Sequence, residues 1–228
     1  MKAMILAAGL GTRLGVRTRS VPKAMQSIAG KPLVGYHLSW LREAGVTDVV
    51  INLHHLGEQI SDYAGDGQKF GLTVHYSPEE RLLETGGGIV AALPMLGREP
   101  FLILLGDIFT DFPFGRFARA LPENSLMHML LTPTPGFRAS GDFNWRDGRV
   151  TGRGSDYVYC GLALFDPALL DGRRAEPFSL REPMFEAVTR GQVTGQVWNG
   201  YWTDIGTPEQ LREVRDRLRD ATNSHPAT

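Results

Sequence analysis

The sequence has one cysteine, no long apolar run and no recognisable leader, and each shortage excludes a class of protein. Cys160 is the single cysteine among 228 residues, which excludes an intrachain disulfide framework and a cysteine-based zinc cluster and favours the reducing cytoplasm. The longest apolar runs, residues 4–8 and 101–105, are far shorter than the roughly 20 residues that span a bilayer. No basic stretch followed by an apolar core and a cleavage site opens the chain, so neither a signal peptide nor a membrane partner is expected.

The chain also has almost no net charge, because 24 Lys and Arg residues stand against 25 Asp and Glu residues. This balance argues against a basic face for nucleic acid, and the 42% hydrophobic content argues against intrinsic disorder. Any anionic ligand must therefore be held by a few local cations. The length suits one domain, which we expect to cover residues 1–220 and to be followed by a disordered tail at residues 221–228.

Short apolar segments alternate with helical patterns through the first half of the chain. Strands are expected at residues 2–8, 49–53, 72–76 and 101–105, and helices are expected after Pro32, at 57–63 and at 89–96. This alternation predicts an α/β fold with a doubly wound, mainly parallel, Rossmann-like sheet and helices on both faces. From about residue 127, short segments separated by turn residues, including Asp147-Gly148, predict a small antiparallel addition to the same domain.

The first predicted strand ends in a glycine loop that carries a cation, residues 6–14 (LAAGLGTRL). Neither a dinucleotide fingerprint nor a Walker A loop fits, because residue 14 is leucine. Small residues at Gly9 and Gly11 would let backbone N–H groups approach a nucleotide, and Arg13 would bind phosphate oxygens in bidentate fashion. A tight turn with a solvated arginine explains the same spacing equally well.

Three further charged residues lie in loops after predicted strands or next to a proline. Lys23 follows Pro22, Asp107 follows the strand at 101–105, and Asp204 precedes a predicted helix that Thr207 would cap. Mg²⁺ is typically held by one or two carboxylates together with substrate phosphates. Taken singly, Lys23 is better explained as a solvated lysine and Asp107 as a turn aspartate, whereas the capping role of Thr207 leaves Asp204 unexplained. A hydrolase is disfavoured, because Gly-x-Ser-x-Gly is absent and the histidines form no helical metal pair.

Taken in order, these pieces resemble the sugar 1-phosphate nucleotidyltransferases. The resemblance runs from residue 1 to about residue 218, and a series of short motifs carries it: LAAGLGTRL (6–14), VPK (21–23), IAGKPLVGYHL (28–38), ETGGGI (84–89), LGD (105–107) and YWTDIGTP (201–208). One departure follows the glycine loop, where the family's Arg-Leu-x-Pro is replaced by Arg-Leu-Gly-Val at 13–16. A chain of this length has no room for the β-helix of the larger members, so the compact subgroup is expected.

The resemblance implies a Mg²⁺-dependent attack by the sugar 1-phosphate on the α-phosphorus of a nucleoside triphosphate, with pyrophosphate leaving in line. The implied substrates are UTP and N-acetylmuramic acid 1-phosphate, a reaction of peptidoglycan recycling. The alternatives are a mannose- or heptose-1-phosphate guanylyltransferase, or a non-catalytic regulatory subunit that binds a nucleotide sugar. No general base is required, because a sugar phosphate is already ionised near neutral pH. The chain is expected to be a monomer or a homodimer.

The resemblance also implies a role for individual residues. Arg13, Lys23 and Asp107 are the implied catalytic residues. The implied nucleotide contacts further include Leu6, Ala8, Gly9, Gly11, Thr12, Pro78, Glu80 and Gly86. The implied sugar contacts are Glu84, Thr85, Gly141, Tyr159 and Asp204. Asp107 and Asp204 are the implied ligands of Mg²⁺, which bridges phosphates and stabilises the transition state.

Overall fold

Strands and helices alternate through residues 1–224, which the computed structural model describes. The strands are β1 (Lys2–Leu6), β2 (Ser27–Ile28), β3 (Lys31–Pro32), β4 (Asp48–Leu53), β5 (Thr73–Pro78), β6 (Phe101–Leu105), β7 (Ile108–Thr110), β8 (Met127–Pro133), β9 (Phe143–Arg146), β10 (Arg149–Arg153), β11 (Tyr157–Phe165), β12 (Val193–Val197) and β13 (Trp202–Asp204). The α-helices are α1 (Leu33–Glu43), α2 (Gly57–Ala64), α3 (Glu84–Leu96), α4 (Arg181–Thr189) and α5 (Pro208–Ser224).

Nine of the described strands form one mixed sheet in the order β5-β4-β1-β6-β11-β8-β12-β10-β9. The first four are parallel, and β11 is antiparallel to both β6 and β8. The predicted α/β class is therefore confirmed, and the predicted antiparallel addition continues the same sheet. The chain winds from β1 to β4 and β5 on one side and places β6 on the other. This reversal leaves a crevice beyond the carboxyl ends of β1 and β6.

Strand β1 is buried on both faces, which explains its continuous apolar sequence. Ala3 and Ile5 pack in a cluster with α1 and α2, whereas Met4 packs in the opposite cluster with α3 and α4. All three side chains are 0% exposed, and fully burying a side chain as large as Ile or Met contributes about 1.5–3 kcal/mol. The helices therefore hold the crevice-forming strands from both sides. Within residues 1–224, no helix combines the length and apolar character needed to cross a membrane.

Several predicted boundaries are confirmed by local geometry, and two segments differ. Asp147 and Gly148 have φ angles of 47° and 85° in the tight turn between β9 and β10, as the hairpin signal predicts. Helix α3 begins at Glu84, so the loop predicted before residue 89 is wrong over 84–88. Helix α5 continues to Ser224, so residues 221–224 of the predicted disordered tail are helical. Residues 225–228 of that tail lie outside the described part of the chain.

Candidate active site

A cleft of about 350 Å³ opens at the crevice beyond β1 and β6. The glycine loop after β1, the turn after β6 and the first turn of α3 form its walls. Eight of the sequence-predicted site residues line it: Leu6, Ala8, Gly9, Gly11, Lys23, Glu84, Thr85 and Asp107. The fold thus gathers residues from four separate motifs at the place where parallel sheets of this kind bind ligands.

An ion pair between Lys23 and Asp107 is the central feature of this cleft. Lys23 opens a short 3₁₀ turn directly after Pro22, and Asp107 occupies the turn between β6 and β7. The Lys23 Nζ atom lies 2.7 Å from Asp107 Oδ2, and the two side chains are 14% and 27% exposed. A partly buried pair of this kind offers a cation for phosphate oxygens and a carboxylate for a metal ion in the same cleft.

Glycine residues let the backbone itself form the cleft walls. A Cβ atom at Gly106 would lie 2.7 Å from the Leu6 carbonyl oxygen, and the Gly106 amide donates a hydrogen bond to that oxygen at 2.9 Å. Gly11 has a φ of 64°, and its carbonyl accepts a hydrogen bond from the Leu14 amide. Only glycine allows both the close approach of β1 to β6 and the left-handed turn of the loop without strain.

A buried polar network, which the sequence did not reveal, supports the glycine loop from below. Asn52, at 2% exposure, accepts a hydrogen bond from the Ala7 amide at 2.7 Å and donates one to Glu79 Oε1 at 2.7 Å. The other Glu79 oxygen accepts the Leu83 amide at 2.9 Å. These hydrogen bonds link the carboxyl ends of β1, β4 and β5 to the start of α3. Asn52 and Glu79 therefore position the backbone that forms this wall of the cleft.

The glycines of the ETGGG motif lie inside α3, where they let a distant segment pack against the helix. A Cβ atom at Gly86 would overlap the Phe178 ring, and one at Gly87 would overlap the Glu176 carbonyl oxygen. The Gly86 amide donates to the Phe178 carbonyl at 3.0 Å, and Thr85 Oγ1 accepts the Leu180 amide at 2.9 Å. Gly86 is therefore buried behind the cleft wall, and its packing brings Ser179 to the cleft.

Asp204 is brought beside Asp107 by the small two-stranded sheet of β7 and β13. Asp204 pairs with Ile108 in this sheet, and the Ile205 amide donates to the Asp107 carbonyl at 2.6 Å. Its carboxylate accepts a hydrogen bond from Arg138 at 3.1 Å and another from the Gln210 side chain at 2.8 Å. Each predicted metal ligand is thus already paired with a cation of the chain.

A capping box at the start of α5 fixes the loop that carries Asp204. Thr207 Oγ1 accepts the Gln210 amide at 3.3 Å, which confirms the predicted cap, and Gln210 Oε1 accepts the Thr207 amide at 3.0 Å. Asp204 lines a second groove, together with Arg13 and Arg138. Arg13 itself is exposed, with its guanidinium beside Gly206, and Thr12 is exposed at the start of a 3₁₀ turn. Both lie at the outer edge of the site.

Four other predicted contact residues do not line the cleft. Pro78 and Glu80 line a separate depression beyond β5. Gly141 is packed so closely that a Cβ atom would lie 2.5 Å from Thr134 Oγ1. The Tyr159 hydroxyl is buried without a hydrogen-bond partner among the described residues, and burial raises its pKa.

The donor set fits a divalent cation that is completed by substrate. Among residues 1–224, no group of three or more His, Cys, Asp or Glu side chains could hold a metal ion by itself. Mg²⁺ is typically held by one or two carboxylates together with phosphate oxygens. Asp204 pairs with Ile108, the residue that follows Asp107, so the backbones that carry the two carboxylates are adjacent. The site therefore suits an ion that arrives with its phosphates rather than one caged by protein.

The mixed sheet, the glycine loop and the Lys23–Asp107 pair together define a nucleotide-binding α/β enzyme. A family model described as "Nucleotidyl transferase" matches residues 2–140, more than half of the chain. The protein belongs to the nucleotidyl transferase family. This family acts on nucleoside triphosphates and sugar phosphates and generally uses a divalent metal ion.

Curated relatives show which members of this family the chain is similar to. N-acetylmuramate alpha-1-phosphate uridylyltransferase from Neisseria meningitidis is 41% identical, over 94% of this chain and 97% of its own length. A protein of the same name from Caulobacter vibrioides is 32% identical, over 96% of this chain and 97% of its own. A mannose-1-phosphate guanyltransferase from Gibberella zeae is 29% identical, but only 62% of its length is covered.

Solved structures share the fold. HddC from Yersinia pseudotuberculosis complexed with GMP-PN superposes with a TM-score of 0.80 at 23% identity, over 95% of this chain and 99% of that one. A UDP-glucose pyrophosphorylase complexed with UDP-glucose gives a TM-score of 0.79 at 18% identity, over 96% and 98% of the two chains.

Proposed function

We propose that the protein transfers the uridylyl group of UTP to N-acetylmuramic acid 1-phosphate, giving the UDP-sugar and pyrophosphate. The observation that carries the reaction type is the Lys23–Asp107 pair in a glycine-walled cleft at the sheet's switch point. The choice of substrates is supported by the 41% identical relative, whose length the chain matches almost completely.

The chemistry requires the charges of two anions to be neutralised while they are held in line. Two unit charges 4 Å apart repel by about 4 kcal/mol at an effective dielectric constant of 20. Lys23 supplies positive charge where the attacking phosphate meets the α-phosphate. The backbone amides of residues 9–12 and the Arg13 guanidinium bind the β- and γ-phosphates, which become the leaving group. Such transfers depend on positioning and charge neutralisation, so no general base is needed.

Asp107 and Asp204 are the residues that would hold Mg²⁺. When bound, the ion supplies positive charge that stabilises the developing negative charge on the phosphates. Asp107 is paired with Lys23 and Asp204 with Arg138, so these cations neutralise the carboxylates until other partners replace them. Both cations are then free to contact phosphate oxygens.

The remaining contacts divide between the two ends of the cleft. Leu6 and Ala8 line the cleft as the surface for the base, with Pro78, Glu80 and Gly86 supporting the loop beside it. Glu84 and Thr85 line the cleft on the side of the sugar, with Gly141 and Tyr159 behind them. We place the reaction in the cytoplasm, where nucleoside triphosphates are available, and expect a monomer or a homodimer.

A matrix of substrates tests the proposal. UTP, GTP, CTP and dTTP are each incubated with Mg²⁺ and the 1-phosphates of N-acetylmuramic acid, N-acetylglucosamine, glucose, mannose and heptose, and pyrophosphate release is followed. The proposal predicts the highest rate with UTP and N-acetylmuramic acid 1-phosphate, and none when either substrate is omitted. A high rate only for GTP with mannose or heptose 1-phosphate would establish the guanylyltransferase instead. Tight nucleotide-sugar binding without turnover in any pair would establish the regulatory subunit.

A further inference from the structure

Another groove, separate from the one that Asp204 lines, meets the cleft at Ser179 and carries two arginines that have no carboxylate partner among the described residues. Ser179 lines both the cleft and this groove, whose other walls include Arg153, Arg181 and Phe185. The guanidinium carbon of Arg153 lies 4.0 Å from the centre of the Phe185 ring, and that of Arg181 lies 6.0 Å from the same centre. Two cations therefore converge on one aromatic ring at the edge of the cleft.

The acidic residues of the same groove are paired elsewhere. Arg173 lies 3.5 Å from Glu182 and 3.6 Å from Glu186, and Glu186 also contacts Arg190 at 4.0 Å. Within the described chain, neither Arg153 nor Arg181 has a carboxylate within ion-pairing distance. The two glutamates of the groove are thus already neutralised by Arg173 and Arg190, and the four arginines with the two glutamates leave a local sum of two positive charges.

Packing holds these arginines in place. The Phe185 ring contacts Phe143 at a centroid distance of 5.2 Å, which anchors the ring that both guanidinium groups face. The Arg153 carbonyl accepts a hydrogen bond from the Asn144 side chain at 3.4 Å. Gly154 follows directly, and a Cβ atom there would overlap that asparagine. The close packing of Gly154 against Asn144 fixes the backbone that presents Arg153.

We propose that Arg153 and Arg181 bind the carboxylate of an acidic sugar and select it over neutral sugars. This inference rests on the proposed function, because N-acetylmuramic acid differs from N-acetylglucosamine by a lactyl ether that carries a carboxylate and a methyl group. Guanidinium groups bind carboxylates through paired hydrogen bonds, and the Phe185 ring offers an apolar surface for the methyl group. Arg138 is the weaker candidate, because Asp204 and Asp142 already lie 3.1 and 3.8 Å from it.

The test compares two sugars that differ only in the lactyl group. The variants Arg153→Gln, Arg181→Gln and the double variant retain the packing of the side-chain stem while removing its charge. Arg146→Gln, at an exposed arginine of the neighbouring strand β9, is the matched control. Kinetic constants are measured with UTP and either N-acetylmuramic acid 1-phosphate or N-acetylglucosamine 1-phosphate, and thermal unfolding checks that each variant is folded.

The double variant is expected to lose about 100-fold in kcat/KM for the acidic sugar, mainly through KM, because a charge-assisted contact binds ground state and transition state alike. For the neutral sugar the change should stay below about threefold, and each single variant should lose about tenfold on the acidic sugar. The control variant should retain the unaltered protein's preference.

Equal losses for both sugars in a folded double variant would overturn the inference and leave the proposed function intact. A different outcome is that Arg138→Gln loses the preference for the acidic sugar while Arg153→Gln and Arg181→Gln keep it. That result would show that the carboxylate binds beside Arg138, and it would also overturn the inference. If the unaltered protein uses neutral sugars only, the proposed function fails and this inference fails with it.

Discussion

Replacing Asn52 with leucine tests the network beneath the glycine loop. The side chain is 2% exposed, accepts the Ala7 amide and donates to Glu79, both at 2.7 Å. Leucine has nearly the same volume but can make neither hydrogen bond. The variant would therefore leave a part-buried backbone N–H and a buried carboxylate oxygen without these partners.

The expected loss follows from the two orphaned groups. A polar group left without a hydrogen bond lowers the free energy of unfolding by about 1–3 kcal/mol if it is neutral and by more if it is charged. The two groups together should therefore lower it by about 3–5 kcal/mol. Because natural domains are stable by only about 5–15 kcal/mol, this is a large fraction of the total. Urea unfolding followed by tryptophan fluorescence measures the change in unfolding free energy. Asn199→Ala, at an exposed asparagine, should change it by less than about 0.5 kcal/mol.

The same variant should bind nucleotide less well, because the Ala7 amide leads into the glycine loop of the cleft. A rise in KM for the triphosphate should therefore accompany the loss of stability. A loss below about 1 kcal/mol, with KM unchanged, would refute the network's role, since even one neutral orphan costs that much.

Three further predictions concern packing, pH and charge. Gly86→Ala should lose about 1–3 kcal/mol in thermal unfolding, because its Cβ would overlap the Phe178 ring. His37 donates to the Ile108 carbonyl at 2.9 Å, its Nδ1 atom is buried with no hydrogen-bond partner in residues 1–224, and burial lowers its pKa to about 4. The unfolded chain then takes up a proton first, and stability should fall by up to about 3 kcal/mol as the pH drops from about 6.5 to 4, a fall that His37→Gln reduces. Lys23→Met should lower kcat/KM by at least about 100-fold in pyrophosphate release, because a preorganised charge at the phosphates is removed.

Each of these three measurements has its own control. Gly136→Ala should be tolerated, since nothing lies within 4 Å of a Cβ atom there. The reference for the pH measurement is the same pair of proteins, the unaltered protein and His37→Gln, at about pH 8, where the His37 imidazole takes up almost no proton on unfolding. Lys69→Met should leave turnover unchanged, because Lys69 lies on the surface beside Tyr63. The first prediction is contradicted if Gly86→Ala is as stable as the unaltered protein. The second is contradicted if the stability of His37→Gln falls with decreasing pH as steeply as that of the unaltered protein. The third is contradicted if Lys23→Met turns over at the full rate.

The strands that build the cleft could be predicted from the sequence because their signals are local. β1 and β6 are short apolar runs buried on both faces, and parallel strands place their carboxyl ends at one edge of the sheet. Asp107 lies two residues after β6, so the position of the strand also places this aspartate at the edge of the sheet. The order of the motifs predicts that Lys23 belongs to the same site, and in the structure Lys23 Nζ lies 2.7 Å from Asp107 Oδ2.

The supporting contacts could not be predicted, because they join residues distant in sequence. Asn52 lies in β4 and Glu79 follows β5, and no local pattern indicates that their side chains meet. Three successive glycines disfavour a helix locally, but the packing of residues 176–178 against them outweighs that cost in α3. Likewise, the pairing of Arg138 with Asp204 spans 66 residues and depends on the loop before β9.

The most direct test of the central claim is the rate at which UDP-N-acetylmuramic acid forms from saturating UTP, sugar 1-phosphate and Mg²⁺. The account predicts product with the unaltered protein and a rate on the order of a thousandfold lower for Asp107→Asn, the loss expected when a metal ligand is removed. Asp62→Asn, at an exposed carboxylate of α2, should retain the full rate. No product from the unaltered protein, or a full rate from Asp107→Asn, would contradict the account.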